Sequence, residues 1–278
     1  MRPLVSPRPL ALRTVTPGEA PAAADAPYTA PALEKGLDIL ELLAGEADGL
    51  SQAAIAQRLS RSTAELFRML SVLERRGYVT RHADGGYRLS LRLFELAHQH
   101  PPLKRLLSVA LPAMQELAQR SRQSAHLVIH FSRRILVVAQ VDSPEPMGFA
   151  VRLGAHFPFR PDRASSRVLT AFQPAPLQEE LIAELLATGA RGRSAAKVRG
   201  ELAAIVRAGV YEAPSDTTEG VTDLCAPVFD HSDGAVAALT VPYLKQRDVK
   251  VSLATVRQAL LETVRIISAG LGATAARA

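Results

Sequence analysis

Apolar residues recur along this chain in two rhythms, one helical and one alternating. Leu66, Met69, Leu70 and Leu73 fall at i, i+3, i+4 and i+7, one buried face of a helix. Ala54, Ile55, Ala56 and Leu59 form a shorter stripe upstream, behind Ser51 as N-cap, with a turn expected at Leu59 to Arg61. Ser62, followed three places on by Glu65, reads as a capping box. Gly77 stops the second helix after the basic pair Arg75-Arg76. Two short strands, Tyr78 to Arg81 and Tyr87 to Leu89, flank the turn sequence Asp84-Gly85-Gly86. A further helix, Leu33 to Leu43, precedes them. Two helices joined by a tight turn and followed by a hairpin make a winged helix-turn-helix. In that arrangement the second helix enters the major groove and the hairpin lies against the backbone.

Charge sharpens this reading. Eight arginines lie between Arg58 and Arg92, against Glu65, Glu74 and Asp84, whereas the first helix carries Glu34, Asp38 and Glu41 against Lys35. Cationic side chains displace counterions from phosphates, so the basic half is the expected backbone-contacting side. Arg68 and Arg75 fall opposite the buried stripe, along with Ala64 and Val72 and with Glu65 at the edge. Arg61 lies in the turn, and Arg81 and Arg88 lie in the wing.

Beyond the wing, Leu91 to Ala97 continues as a helix until Pro101-Pro102, the expected linker over residues 91–102. Another amphipathic helix is expected at Leu103 to Ala118. Strands are expected at Ala125 to Phe131, Arg134 to Val141, Phe149 to Leu153, Asp223 to Phe229 and Ala235 to Val241. Helices are expected at Ser165 to Phe172, Leu177 to Ala187, Ala195 to Ala208 and Lys250 to about Leu271. Mixed order with hairpin-length links, such as Asp230 to Gly234, predicts an α+β domain on a largely antiparallel sheet over residues 103–273. The winged domain then occupies residues 31–90. Residues 1–30, rich in Pro and Ala with Arg2, Arg8 and Arg13, read as a disordered tail.

Composition bounds the alternatives. The chain has 278 residues, enough for two domains, and its net charge of +6 is too modest for a general polycation. One cysteine leaves no internal disulfide framework and suits a reducing cytoplasm. No apolar run approaches the roughly 18 residues of a spanning helix, and the amino-terminal segment lacks a signal-peptide core.

Four segments, in this order and spacing, resemble bacterial transcriptional regulators of the isocitrate lyase regulator (IclR) type. They are Leu33-Glu34-Lys35-Gly36-Leu37-Asp38-Ile39-Leu40, Phe67-Arg68-Met69-Leu70 with Glu74-Arg75-Arg76-Gly77-Tyr78, Ala164-Ser165-Ser166-Arg167-Val168-Leu169, and Glu219-Gly220-Val221 leading to Ala226-Pro227-Val228-Phe229. The resemblance implies a winged helix-turn-helix, a linker helix that helps dimerise, and a GAF-like domain that binds a small effector. It covers Ala32 to about Gly270. The chain departs from the family at Ala64-Glu65, where Ser-Thr is common. It departs again at Ser166-Arg167, where Gly-Lys is frequent. The first departure points to an operator of its own.

The candidate DNA-binding residues are thus Arg61, Ser62, Thr63, Glu65, Arg68, Arg75, Arg81 and Arg88. For the effector, Ser165 and Ser166 open a helix whose free amides suit a carboxylate, with Arg160, Arg163 and Arg167 close in sequence. Thr222 and Asp223 are the polar residues of an otherwise apolar strand. The resemblance adds Val221 and draws the pocket to this strand, which gives Ser165, Ser166, Arg167, Val221, Asp223 and Cys225 as effector-binding residues. No catalytic set, metal site or cofactor is expected. His126 and His130 point along one strand face, too far apart for one ion, and no phosphate loop or Gly-x-Ser-x-Gly elbow is present. The reading is a cytoplasmic, ligand-responsive regulator, not a membrane protein. It binds a double-stranded DNA operator and a small organic acid, and it assembles as a homodimer or tetramer. An enzyme using Cys225 or Ser165, or a DNA-binding protein without a ligand, stands as the alternative.

Overall fold

The computed structural model describes residues 30–99, 101–188, 194–247 and 251–274. All of the expected tail except Ala30 lies outside the described residues. Two compact units meet at Lys104 and Arg105, each with its own core.

The first unit consists of α1 (Pro31–Ala44), α2 (Gln52–Arg58), α3 (Thr63–Arg75), the hairpin β1 (Val79–Arg81) and β2 (Tyr87–Leu89), and α4 (Arg92–Gln99). Ile39, Leu43, Ile55, Leu66 and Leu70 pack with Val79 and Tyr87 of the hairpin. Both expected caps form: Ser51 Oγ accepts the Ala54 amide at 3.2 Å, and Ser62 Oγ accepts the Glu65 amide at 3.2 Å. Between the helices Ser60 adopts a left-handed φ of 53°, and the Arg61 amide reaches the Ala56 carbonyl at 2.9 Å. Gln52 Nε2 then donates to the Thr63 carbonyl at 2.9 Å, which fixes the start of α2 against the start of α3. Leu50 adds a single bridge to Tyr87 at the edge of the hairpin. Gly49, just before it, has φ +76°, and a Cβ there would stand 2.4 Å from Arg88 Cγ and 2.7 Å from the Tyr87 carbonyl oxygen. Only glycine permits that approach.

The second unit contains the body of α5 (Pro101–Ser121). Its strands and helices follow in order as β3 (Ala125–Phe131), β4 (Arg134–Val141), β5 (His156–Pro158), α6 (Ala164–Ala171), α7 (Ala175–Ala187), α8 (Ala195–Ala208), β6 (Tyr211–Pro214), β7 (Val221–Phe229), β8 (Ala235–Leu244) and α9 (Leu253–Gly270). The six strands form one antiparallel sheet in the order β5-β4-β3-β8-β7-β6. One face carries α5 and α9 over a core of Met114, Leu117, Leu127, Leu239, Leu260 and Ile267. The other carries α6, α7 and α8 over Val137, Phe159, Val168, Leu185 and Leu202.

Two bulges adjust the alternation. Leu127 pairs with Ala139 and Val128 with Val137, which leaves Val138 as an extra residue in β4. Val228 pairs with Ala237 and Phe229 with Ala235, which leaves Val236 extra in β8. Each extra residue faces the same core as its successor. Ile135 and Val137 therefore join one core, while Val138 and Ala139 join the other.

Two local expectations are corrected, and one strand was not anticipated. Phe149 to Leu153 is not a strand; its apolar alternation serves a loop, and the edge strand is β5, entered through Gly154 at φ +77°. Pro101 and Pro102 do not break the chain out of helix but belong to α5. The short edge strand β6 carries no alternation long enough to announce it, and it ends on a proline.

Candidate functional site

The outward face of α3 carries Arg68 and Arg75, both exposed and without a side-chain partner among the described residues. Phe67 and Val72 stand beside them, 55% and 44% exposed. Phe67 was missed as a surface residue because its neighbour Leu66 belongs to the buried stripe. The rest of the predicted DNA-facing set divides by what each residue already holds. Ser62 Oγ accepts the Glu65 amide and keeps its own proton free to donate, and Thr63 presents an exposed side chain beside it. Glu65 is engaged within the protein by an ion pair with Lys35 and a longer one with Arg61 at 3.8 Å. The Lys35 bond is the main reason its carboxyl lies below the usual range. Arg61 lies 3.9 Å from Asp38 as well. In the wing, Arg81 lies over the Tyr87 ring at 5.7 Å and remains exposed. Arg88 braces the wing from within: Nε donates to the Asp48 carbonyl at 2.9 Å, and the guanidinium pairs with Asp84 at 3.3 Å.

In the second unit a cavity of 260 Å³ opens between the sheet and the first turn of α6. Val128, Ile135, Phe149, Val151, Phe157 and Pro242 make its apolar wall. Polar groups reach it from five places. His126 and Thr240 come from β3 and β8, and Arg163 and Ser165 from the start of α6. Ser215, Thr217 and Thr218 come from the loop after β6, and Asp223 comes from β7. Arg163 is the N-cap residue of α6, yet no side chain among the described residues caps the helix, which leaves its first amides without a capping partner there. The Arg163 guanidinium stacks over Phe157 at 4.8 Å, and its Nε is buried without a hydrogen-bond partner. Burial holds the Asp223 carboxyl above its ordinary value, against the pull of a hydrogen bond from Ser215 and the charges of Arg163 and Arg167. Burial also pushes the His126 imidazole down to about 4, so it is neutral at physiological pH.

Of the six residues expected at the effector site, Ser165 and Asp223 line this cavity, and four do not. Ser166 is fully buried beneath it, its hydroxyl accepting the Arg160 amide at 3.3 Å. Arg167 points away, bonded to the Pro161 carbonyl and Tyr211 hydroxyl and paired with Asp216 at 2.9 Å. Val221 is buried at the start of β7. Cys225 lies wholly inside, accepting the Thr240 hydroxyl at 3.2 Å, and burial pushes its thiol up to about 12. A thiol so placed is a packing residue and a poor nucleophile. Ser165, His126 and Asp223 share the cavity, but no hydrogen bond links any two of them among the described residues, so no nucleophilic relay is assembled. Arg163 entered the sequence reading only as a nearby charge. Phe157, Ser215 and Thr217 had no local signal, because strand β5 and the loop after β6 bring them together from distant parts of the sequence.

His126 and His130 do share a strand face, and His130 is occupied elsewhere, 3.5 Å from Glu184 and against the Phe159 ring. No helix among the described residues is long and apolar enough to cross a membrane.

Comparison with known proteins accounts for both units. Residues 32–83 match the IclR helix-turn-helix domain, and residues 103–269 match the bacterial transcriptional regulator IclR C-terminal domain. The chain is 29% identical over 211 residues to the glycerol operon regulatory protein of Streptomyces griseus, covering 75% of this chain and 83% of that one. It is 26% identical over 248 residues to the transcriptional regulator XynR of Escherichia coli, covering 86% and 96%. Among solved structures, the Thermotoga maritima IclR has a TM-score of 0.70 at 21% identity, over 86% of this chain and 98% of that one. An IclR homologue from Microbacterium hydrocarbonoxydans, complexed with 4-hydroxybenzoate, has a TM-score of 0.69 at 24% identity, again over 86% and 98%. A helix-turn-helix with two unpartnered outward arginines, joined to a second unit with its own lined cavity, has the same two-part organisation, and this chain belongs to the IclR family of bacterial transcriptional regulators.

Proposed function

We propose that this regulator acts in the cytoplasm as a homo-oligomer, that α3 and the wing contact its operator, and that the cavity beside α6 senses a small organic acid. The observation that carries the effector reading is the uncapped first turn of α6. Its free amides, the Ser165 hydroxyl and the Arg163 guanidinium converge on one apolar-walled cavity. A carboxylate satisfies all three, and the 4-hydroxybenzoate complex of a protein with the same fold agrees with an acid as ligand. The volume suits a metabolite, at the small end of ligand cavities. On the DNA side, Arg68 and Arg75 serve the bases and Arg81 the phosphates, while Arg88 and Glu65 shape the protein that presents them.

The test is a thermal-shift screen of small carboxylic acids on the full chain, followed by operator binding with each acid that raises the midpoint. An acid that stabilises the protein should also change its DNA affinity, because only differential binding to two states shifts that equilibrium. Ser165→Leu, which fills the cavity mouth, should remove both effects. A response that survives in Ser165→Leu would move the effector elsewhere.

A further inference from the structure

The cavity holds two opposite charges that do not meet. Arg163 and Asp223 both line it, yet among the described residues neither pairs with the other. The other charges nearby are accounted for. Arg167 is paired with Asp216 at 2.9 Å, and Arg160 with Asp162 at 3.2 Å. His126 is neutral. Among the described residues, the lining therefore presents one cation and one anion, neither of them ion-paired, to the same 260 Å³, together with apolar side chains. We infer that the effector is a zwitterion of the amino-acid class, its carboxylate on Arg163 and the first turn of α6, its ammonium group on Asp223, and its side chain against Phe149, Val151 and Phe157.

The argument is one of charge balance in a partly dry space. A plain carboxylate would satisfy Arg163 but bring a second negative charge into the cavity with Asp223, whose remaining solvation it would also displace. A plain amine would leave Arg163 in the corresponding position. A molecule carrying both charges satisfies each and enters with no net charge. Asp223 agrees with this: burial without a full counter-charge holds its carboxyl above the ordinary value, and a bound ammonium would supply what is missing. This inference rests on the cavity being the effector site.

Isothermal titration of the full chain with the standard amino acids, and with the acids that match the apolar ones but lack the amine, separates the two ideas. Suitable pairs are leucine with 4-methylpentanoate and phenylalanine with 3-phenylpropionate. At least one amino acid should bind about ten-fold or more tightly than its amine-free partner. In Asp223→Asn, which keeps the shape and the Ser215 contact, that preference should vanish or invert. Amine-free acids that bind as tightly as their partners would overturn the zwitterion and leave the acid-sensing cavity standing. An amino-acid preference unchanged in Asp223→Asn would overturn the role of Asp223 and the inference with it. If no acid of either kind binds, both the inference and the effector reading of the cavity fall.

Discussion

Thr240 sits in register between His126 on one neighbouring strand and Cys225 on the other, and the two neighbours show opposite effects of the same burial. Burial disfavours whichever form is charged, so the thiol is pushed up to about 12 and the imidazole down to about 4. The imidazole makes stability depend on pH in a definite direction. Unfolded, it titrates near the ordinary imidazole value of 6.5; folded, it takes a proton only near 4. The folded state thus binds the proton less readily. Its contribution is fully present above pH 6.5 and is lost as pH falls toward 4. A gap of about 2.5 units corresponds to roughly 3 kcal/mol. His126→Gln should remove that part of the acid sensitivity, read as the change in urea midpoint between pH 7 and pH 4.5. Equal losses in the variant and the parent protein would show that the imidazole does not control it.

The recognition helix α3 shows what one element needs in order to present a surface. Leu66 and Leu70 anchor it, Ser62 caps it, and the Gln52–Thr63 bond sets its start. With its orientation fixed in this way, Arg68 requires no internal contact and is available for a base edge. Arg68→Ala should weaken operator binding by about 1–3 kcal/mol, measured by fluorescence anisotropy, with the thermal midpoint unchanged. Full affinity in a folded Arg68→Ala protein would take α3 out of the groove. Elements of this kind were legible in the sequence because each carries its period and its stops in one segment. The strands Ala125–Phe131 and Arg134–Val141 and the helix Ala195–Ala208 stand where their patterns placed them. The loop at Phe149 to Leu153 has the same alternation as a strand, but Phe149 and Val151 line the cavity while Leu153 is exposed. The cavity was half legible for a related reason. Ser165 and Asp223 stand out as polar residues in apolar runs, whereas Arg163 acquires meaning only once Phe157 lies beneath it. The sequence offers Arg88 as a phosphate contact, but it cannot show that the same side chain braces the Asp48 carbonyl, some forty positions earlier.

At the scale of the whole molecule, the linker is more apolar than a solitary chain requires. Leu91 is 76% exposed and Phe94 59%, with Leu93 and Leu96 also at the surface. One recognition helix spans too few base pairs for a specific site, and helix-turn-helix proteins meet that need by pairing. Leu91→Asp should therefore shift the mass found by light scattering at micromolar concentration toward the monomer and weaken operator binding with it. A parent protein that is already monomeric while bound to operator would refute the pairing. The sheet of the second unit also limits how a chain of this kind can change in length over generations. A strand that gains or loses one residue turns every later side chain to the opposite face, and this sheet separates two different cores. Val138 and Val236 are exceptions, because each already stands outside the pairing and faces the same side as its successor. Losing either codon would leave all other residues of its strand on their present sides. Elsewhere in these two strands a single-codon deletion exchanges the wall of the cavity for the underside of α5 and α9, so inherited differences in strand length between this gene and its relatives should collect at those two positions.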